Sequence, residues 1–323
     1  MCIRDRTCSA WWYADHSFGN QDLEKWTSCS EIRHVLETKD HVTICVESKE
    51  RTWELMIYPV VGGFRMVAGK KGFFDGKPEA FSMEESEHAY IIRSKEHEMI
   101  LQKETLEISI DRKAITNLKN ISFIFEKESV SASRIQFSIH ENSAIYGFGE
   151  RFDSVNQYGK TVALWQRDAC EGCLASIGNQ AYKNIPLVHT SDGFSFFANT
   201  SYRMRMDVGD AVQDYLSVEA LGDVFDFYIW SGTPREAMTA YGTLTGLPIF
   251  PPEWVFEPWA GGGGGRWRNG PLQDIALEQM AAMKKFHELD IPHSGFYAEG
   301  AGATFYGESV SYTHLRAHET DQY

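Results

Sequence analysis

Hydrophobic and polar residues alternate along most of the chain between Glu31 and Trp230. Alternation with a period of two is typical of half-buried antiparallel strands, because successive side chains of a strand point to opposite faces. The clearest runs are 41–48, 52–58, 104–111, 133–140 and 202–208. About a dozen such runs, separated by polar or glycine-containing turns and without an amphipathic helix between them, predict a large β-sandwich.

The pattern changes after Ser231. Met238, Tyr241 and Leu244 recur at helical spacing, and Pro234 stands where a proline can begin a helix. This predicts a helix over 234–244. The prolines that follow predict a stiff linker and a domain boundary; they are Pro248, Pro251 and Pro252.

Beyond the linker, the sequence predicts a short buried strand over Trp254–Trp259, a helix over Leu272–Leu289 and a second strand over Ser294–Ala298. A strand, a helix and a strand in so short a segment form a βαβ unit, which implies a parallel sheet. The run Gly261–Gly265 is expected to form a loop. If the domain is a barrel, this loop lies on the rim of the active site, and a flexible connection is the alternative.

Net charge and composition exclude several classes of partner. The chain has 31 Lys and Arg against 45 Asp and Glu, a formal net charge of −14. Nucleic acids and anionic membranes are therefore not expected as partners, because both attract basic surfaces. Cys170 and Cys173 form a lone C-x-x-C pair, and a structural zinc site needs four ligands. No metal or cofactor is expected.

Two segments gather residue types that bind sugars. They are Tyr146-Gly-Phe-Gly-Glu-Arg-Phe-Asp153 and Leu164-Trp-Gln-Arg-Asp168. Aromatic rings stack on the C–H faces of sugars, while carboxylates and guanidinium groups hold pairs of hydroxyls. The alternative is a structural ion-pair network between sheets. Glu299 ends the second predicted parallel strand, where side chains face the active site of an α/β barrel; a solvated loop carboxylate is its alternative.

Several segments together resemble glycoside hydrolase family 31, which comprises α-glucosidases, α-xylosidases and their relatives. The matching segments are 146–153, Tyr182-Lys-Asn-Ile-Pro186, Pro234-Arg-Glu in the helix that runs to Leu-Thr-Gly-Leu-Pro248, and Pro251-Pro-Glu-Trp254. The resemblance implies an antiparallel, galactose-mutarotase-like β-sandwich followed by a (β/α)8 barrel, of which the chain contains the first βαβ unit.

The family's retaining mechanism uses two carboxylates about 5 Å apart. Both lie on later barrel strands than this chain contains, so no residue here is assigned as nucleophile or acid, and the chain alone is expected to be inactive. The resemblance implies that Asp168 reaches the leaving-group sugar and that Glu299 holds hydroxyls of the sugar being cleaved. The candidate substrate-binding residues are Asp168, Glu299, Trp259, Trp165 and Arg151, and the expected partner is an oligosaccharide or another α-glycoside.

Glu299 departs from the family pattern, which usually has Asp at this position. The segment Ser294-Gly-Phe-Tyr-Ala-Glu-Gly300 also resembles the sulfoquinovosidase branch, which has Gln there. A glutamate would repel a sulfonate by about 1–4 kcal/mol at ~4 Å, so a neutral sugar is preferred. A lyase or a transglycosylase is possible within the family. Outside it, the alternative is a non-catalytic carbohydrate-binding β-sandwich.

Both ends of the chain resemble translated sequencing-adapter sequence, as found in metagenomic assemblies. The domain organisation expected from the sequence is therefore adapter-like sequence over 1–6, the β-sandwich domain over 7–247, the start of the catalytic barrel over 248–308, and adapter-like sequence over 309–323.

Overall fold

The computed structural model describes residues 26–48, 51–127, 129–151, 153–165, 181, 183–263 and 272–299. For residues 260–263, 272–279 and 296–299 it describes the backbone only. The chain divides between Leu247 and Pro248 into two compact units.

The first unit consists mainly of antiparallel strands. In the described residues they are β1 Thr27–Ser28, β2 Glu31–Glu37, β3 Val42–Glu47, β4 Thr52–Val60, β5 Gly63–Gly69, β6 Ser82–Glu85, β7 Ala89–Arg93, β8 Glu98–Gln102, β9 Glu107–Ile110, β10 Lys113–Glu126, β11 Ser129–Ser138, β12 Ile145–Gly149, β13 Lys160–Leu164, β14 Asn184–Thr190, β15 Phe194–Ala198, β16 Met204–Val208, β17 Tyr215–Leu221 and β18 Val224–Ser231. Each of the five clearest alternating runs contains all or part of one of these strands, which confirms the predicted strands.

The strands form two sheets. The first has the order β13-β16-β17-β11-β10-β9-β8-β7-β6, with β1 also paired to β10, and the second has the order β12-β14-β15-β18-β5-β4-β3-β2. Aromatic pairs join the sheets in the core: Phe137 of β11 stacks on Phe196 of β15 with ring centroids 4.5 Å apart, and Phe123 of β10 meets Phe225 of β18 edge-on at 5.3 Å. The predicted antiparallel β-sandwich is confirmed.

Helix α1, Pro234–Thr245, covers part of the outer face of the second sheet. It begins with a capping box, in which Thr233 Oγ1 accepts from the backbone N–H of Glu236 and the Glu236 carboxylate accepts from the N–H of Thr233 at 2.7 Å. Ala237 and Ala240 are buried and pack in a cluster with Trp230 of β18. The helix predicted over 234–244 is confirmed.

A buried ion pair crosses the second sheet from β5 to β18. Arg65 Nε donates to Asp226 Oδ1 at 2.9 Å and Arg65 Nη2 donates to Asp226 Oδ2 at 2.7 Å, and both side chains are fully buried. Burial opposes the charge of Arg65, but the hydrogen bonds to Asp226 outweigh it and raise the pKa of the guanidinium. The bidentate geometry fixes the two strands side by side.

The second unit contains a 3-10 helix, Glu253–Phe256, strand β19, Trp259–Gly263, helix α2, Leu272–Glu288, and strand β20, Gly295–Glu299. Strands β19 and β20 are parallel, and their register pairs Trp259 with Gly295 and Gly263 with Glu299. The predicted parallel arrangement around a helix is therefore confirmed for these two strands.

The strand predicted over Trp254–Trp259 is wrong. Residues 253–256 form the 3-10 helix after Pro252, whose fixed φ of −65° suits the start of a turn. The strand begins at Trp259 and includes Gly261–Gly263, which had been predicted to lie in a loop. Backbone pairing with β20 holds these glycines in the strand, although glycine has a low intrinsic preference for it.

Candidate functional site

The glycines of the Gly-Phe-Gly segment of β12 have no room for a side chain beside β14. Gly147 and Gly149 have φ of 112° and 85°, in the region that favours glycine. A Cβ atom on Gly147 would collide with the carbonyl oxygen of Leu187, and one on Gly149 with that of Lys183. The two glycines of the sugar-binding candidate segment therefore serve the pairing of two strands.

Arg151 follows β12 and ties three strands together. Its Nη2 donates to Asn184 Oδ1 at 2.6 Å and to the carbonyl oxygens of Phe148 and Ala163 at 3.2 and 3.3 Å. Burial lowers the pKa of Arg151 to about 10, although the charge of Asp153 opposes this. These contacts give Arg151 a bracing role within the sandwich, and its contact with a sugar stays a prediction.

Asp153, in the same segment, also has partners within the protein. Its carboxylate accepts from Lys160 Nζ at 2.6 Å and from Gln157 Nε2 at 3.0 Å. Burial disfavours the charged carboxylate, but these hydrogen bonds outweigh it and lower the pKa of Asp153 to about 2. The ion pair that the sequence left open as an alternative is present here.

Trp165 comes directly after β13 and is 48% exposed. The Arg203 guanidinium carbon lies over its ring, 5.9 Å from the centroid. Trp165 and Asn184 both line a cavity of about 460 Å³ on the sandwich. Since Arg151 donates to Asn184, the structure places two of the sequence-predicted residues, Arg151 and Trp165, on the same side of the sandwich. Asp168 lies outside the described residues.

Trp259 and Glu299 lie at opposite ends of the parallel strand pair. Trp259 is the first residue of β19 and Glu299 is the last residue of β20. Four residues of strand separate these ends, about 13 Å at ~3.3 Å per residue. Glu299 is at the carboxyl end, the end that carries active sites in (β/α)8 barrels, whereas Trp259 is at the amino end. The predicted strand would have put Trp259 at the carboxyl end.

Trp259 itself packs within the second unit. Its indole Nε1 donates to the carbonyl oxygen of Val255 at 3.1 Å, and its ring lies 5.4 Å from that of Trp254. A Cβ atom on Gly295 of β20 would meet the Trp259 ring at 2.5 Å, so the indole lies against the glycine. For Glu299 the structure describes only the backbone. Sugar binding by either residue stays a prediction.

Sequence reasoning missed several cavity-lining residues. Phe73 is 75% exposed and Tyr202 is 42% exposed, and both line the cavity beside Trp165. Phe73 stands in a glycine-flanked loop, Gly72-Phe-Phe-Asp-Gly76, where two adjacent aromatic residues in a polar turn were the available signal. Tyr202 was interpreted only as one position of an alternating run.

Within the described part of the chain, no group of three or more His, Cys, Asp or Glu side chains could hold a metal ion. The helices described there include none whose length and apolar character would allow it to cross a membrane.

The family model for the glycosyl hydrolase 31 N-terminal galactose mutarotase-like domain matches residues 38–207, more than half of the chain. The chain belongs to glycoside hydrolase family 31. The matched range covers most strands of the sandwich and includes Arg151, Trp165 and Asp168.

Among family 31 relatives, the α-xylosidase XylQ of Lactiplantibacillus pentosus is 34% identical over 131 residues, which is 40% of this chain and 16% of that protein. Alpha-glucosidase 2 of Bacillus thermoamyloliquefaciens is 24% identical over 226 residues, 68% of this chain and 27% of that protein. The chain thus spans about a sixth to a quarter of the length of these two glycosidases.

The fold is shared with solved structures, of which two are described. The cycloalternan-forming enzyme of Listeria monocytogenes, in complex with a pentasaccharide substrate, matches with a TM-score of 0.71 and 19% identity over 84% of this chain and 27% of that chain. A family 31 dextranase of Flavobacterium johnsoniae, complexed with isomaltotriose, matches with a TM-score of 0.63 and 21% identity over 84% of this chain and 34% of that chain.

Proposed function

We propose that the whole protein is a retaining α-glycosidase that hydrolyses terminal α-linked neutral sugars. The observation that carries this proposal is the match of residues 38–207 to the family 31 N-terminal domain, on a chain that folds as a two-sheet sandwich. The α-xylosidase and α-glucosidase names of its relatives support the class of substrate.

In this proposal the chain binds substrate and does not itself break the glycosidic bond. Asp168 holds the leaving-group sugar and Glu299 holds hydroxyls of the sugar being cleaved. The nucleophile attacks the anomeric carbon, and the acid protonates the leaving oxygen and later activates water; these two carboxylates belong to barrel strands beyond residue 308. The position of Glu299 at the carboxyl end of β20 supports its role.

The test combines turnover with covalent trapping. The whole protein should hydrolyse nitrophenyl α-glucoside or α-xyloside with retention of configuration. An activated fluoro-sugar should label an aspartate outside the 323 residues, located by mass spectrometry of peptides. Turnover by the 323-residue chain, or labelling of Asp168 or Glu299, would contradict the proposal. An unsaturated product would indicate a lyase, and transfer to an added sugar would indicate a transglycosylase.

A further inference from the structure

On one face of the parallel strand pair, each register pair joins a glycine to a larger residue. Alternate residues along a strand share a face, and register partners in neighbouring strands lie on the same face of the sheet. The register pairs that share this face are Trp259 with Gly295, Gly261 with Tyr297, and Gly263 with Glu299. Wherever β20 carries a large residue on this face, β19 therefore has a glycine beside it.

The opposite face of β19 provides a comparison. Its register pairs are Ala260 with Phe296 and Gly262 with Ala298. A glycine inside a strand leaves nothing to pack, and it often marks a place where another group approaches closely. Gly262 has a small register partner and Gly263 a large one, so the two neighbours form a matched pair of glycines on the same strand.

The register pair at the amino end of the two strands shows how a large residue fits beside a glycine. The Trp259 indole lies against Gly295, because a Cβ atom on that glycine would meet the ring at 2.5 Å. The ring is held there by the hydrogen bond from its Nε1 to the carbonyl oxygen of Val255 at 3.1 Å. At this position a side chain of one strand thus lies across the strand pair, over its glycine partner.

We infer that Gly263 is a positioning residue for Glu299. The two residues end β19 and β20 and are register partners, so a side chain on Gly263 would stand about 4.8 Å from that of Glu299. Glycine leaves this space free, and the side chain of Glu299 bends into it, as Trp259 does over Gly295. The bend sets where the carboxylate meets the sugar. The inference rests on the proposed function, in which Glu299 holds hydroxyls of the sugar being cleaved.

Gly263 should therefore decide which carboxylate works best at position 299. Glutamate is longer than aspartate by one methylene, about 1.5 Å. Beside Gly263, the longer side chain has room to bend and to bring its carboxylate to the sugar from the side of β19. Beside a residue with a Cβ atom that room is filled, and the shorter aspartate, which needs no bend, fits better.

The experiment is a double-mutant cycle in the whole protein, with kcat and KM measured on nitrophenyl α-glucoside and α-xyloside. With Gly263 present, Glu299→Asp should lower kcat/KM about threefold or more, whereas in the Gly263→Ala background the same change should raise it. Gly262→Ala is the matched control, because it changes the other face of β19; in that background Glu299→Asp should again lower kcat/KM. Thermal unfolding midpoints equal to that of the unmodified protein establish that the variants are folded.

The same factor for Glu299→Asp in all three backgrounds would overturn the inference. A crystal structure of the unmodified whole protein tests it without turnover: Cγ of Glu299 should lie within about 4 Å of the Gly263 Cα atom. A Glu299 side chain that extends away from β19 would overturn the inference. The proposed function fails separately, if the unmodified protein cleaves neither aryl α-glycoside, because the distance in the crystal does not depend on cleavage.

Discussion

Asp226 and Asp75 both contact Arg65, but from very different surroundings. Asp226 is fully buried and also accepts from Gly72 and Asn199, whereas the Asp75 side chain is 67% exposed. An ion pair loses most of its value in water, while removal of one buried partner leaves a charge without compensation. Because both carboxylates pair with the same arginine, substituting each in turn compares the stability contributed by a buried partner with that contributed by an exposed one.

Asp226→Asn should lower the free energy of unfolding by about 3–5 kcal/mol, because the buried Arg65 charge loses its buried carboxylate and keeps only the exposed Asp75. Asp75→Asn is the matched control and should cost about 1 kcal/mol or less. Urea denaturation of both variants measures the difference. Equal losses in the two variants would show that the burial of the Arg65–Asp226 pair does not determine its contribution.

Asp153 makes the stability of the sandwich depend on pH. Its pKa of about 2 in the folded chain is lower than the ordinary value, so its contribution is present at neutral pH and is lost as the pH falls from about 4 towards 2. Asp153→Asn should be less stable than the unmodified chain at pH 7, by about 1 kcal/mol after allowance for solvent screening. Unfolding measured from pH 7 to 2 should show this difference shrinking; a constant difference would be inconsistent with an ionised, hydrogen-bonded Asp153.

The roles of single residues were the hardest part to predict from sequence. The segment 146–153 has residue types that bind sugars, yet Arg151 bonds to Ala163 and Asn184, and its segment pairs with β14. These partners come from strands distant in sequence, and no local pattern specifies which strands become neighbours. The cavity lined by Trp165 and Asn184 was missed for the same reason, since its walls come from several separate segments.

Strands and helices were predicted far better, because their side-chain periodicity is local. The alternating runs of β3 and β4 and the helical spacing of α1 each correspond to an element of the structure. The prediction failed at Trp254–Trp259, where an apolar aromatic run lacks a clear period and Pro252 begins a 3-10 helix. Strand β19 could not be recognised from the sequence, because it is rich in glycine. It is held as a strand by backbone pairing with β20 and not by a pattern of side chains.

The close approach of β12 to β14 can be tested with two glycines of similar φ. Gly149 and Gly159 have φ of 85° and 77°, but a Cβ atom on Gly149 would collide with backbone atoms of Lys183 and Ile185 at the start of β14, whereas one on Gly159 would have no atom within 4 Å. Gly159→Ala should cost about 1 kcal/mol of stability for its backbone conformation alone. Gly149→Ala should cost more, about 2–4 kcal/mol, because the strands must separate. Urea midpoints that fall equally would rule out a role for the close approach.

At the scale of the whole molecule, the sandwich was predictable from the alternating runs between Glu31 and Trp230, and the family from several motifs that occur in order between residues 146 and 254. Under the proposed function, the identity of the sugar depends on single side chains such as Glu299. A carboxylate there should accept hydrogen bonds from hydroxyls of a neutral sugar and repel a sulfonate.

Glu299→Gln in the whole protein should therefore lower kcat/KM on a neutral aryl α-glycoside about tenfold or more, since a charged hydrogen bond contributes about 1.5–3 kcal/mol. The same change should improve turnover of a sulfonated sugar. Steady-state kinetics measures kcat/KM on both substrates. A preference of the unmodified protein for the sulfonated sugar would refute the expected repulsion between Glu299 and a sulfonate.

We propose that the sandwich contributes the leaving-group side of an α-glycosidase site, and substitution of Asp168 tests this proposal. The measurement compares kcat/KM of the whole protein and its Asp168→Ala variant on a disaccharide and on an aryl α-glycoside. In the variant, KM for the disaccharide should rise much more than KM for the aryl glycoside, because only the disaccharide has a sugar for Asp168 to hold. Equal losses of kcat/KM on the disaccharide and the aryl glycoside would contradict this role of Asp168.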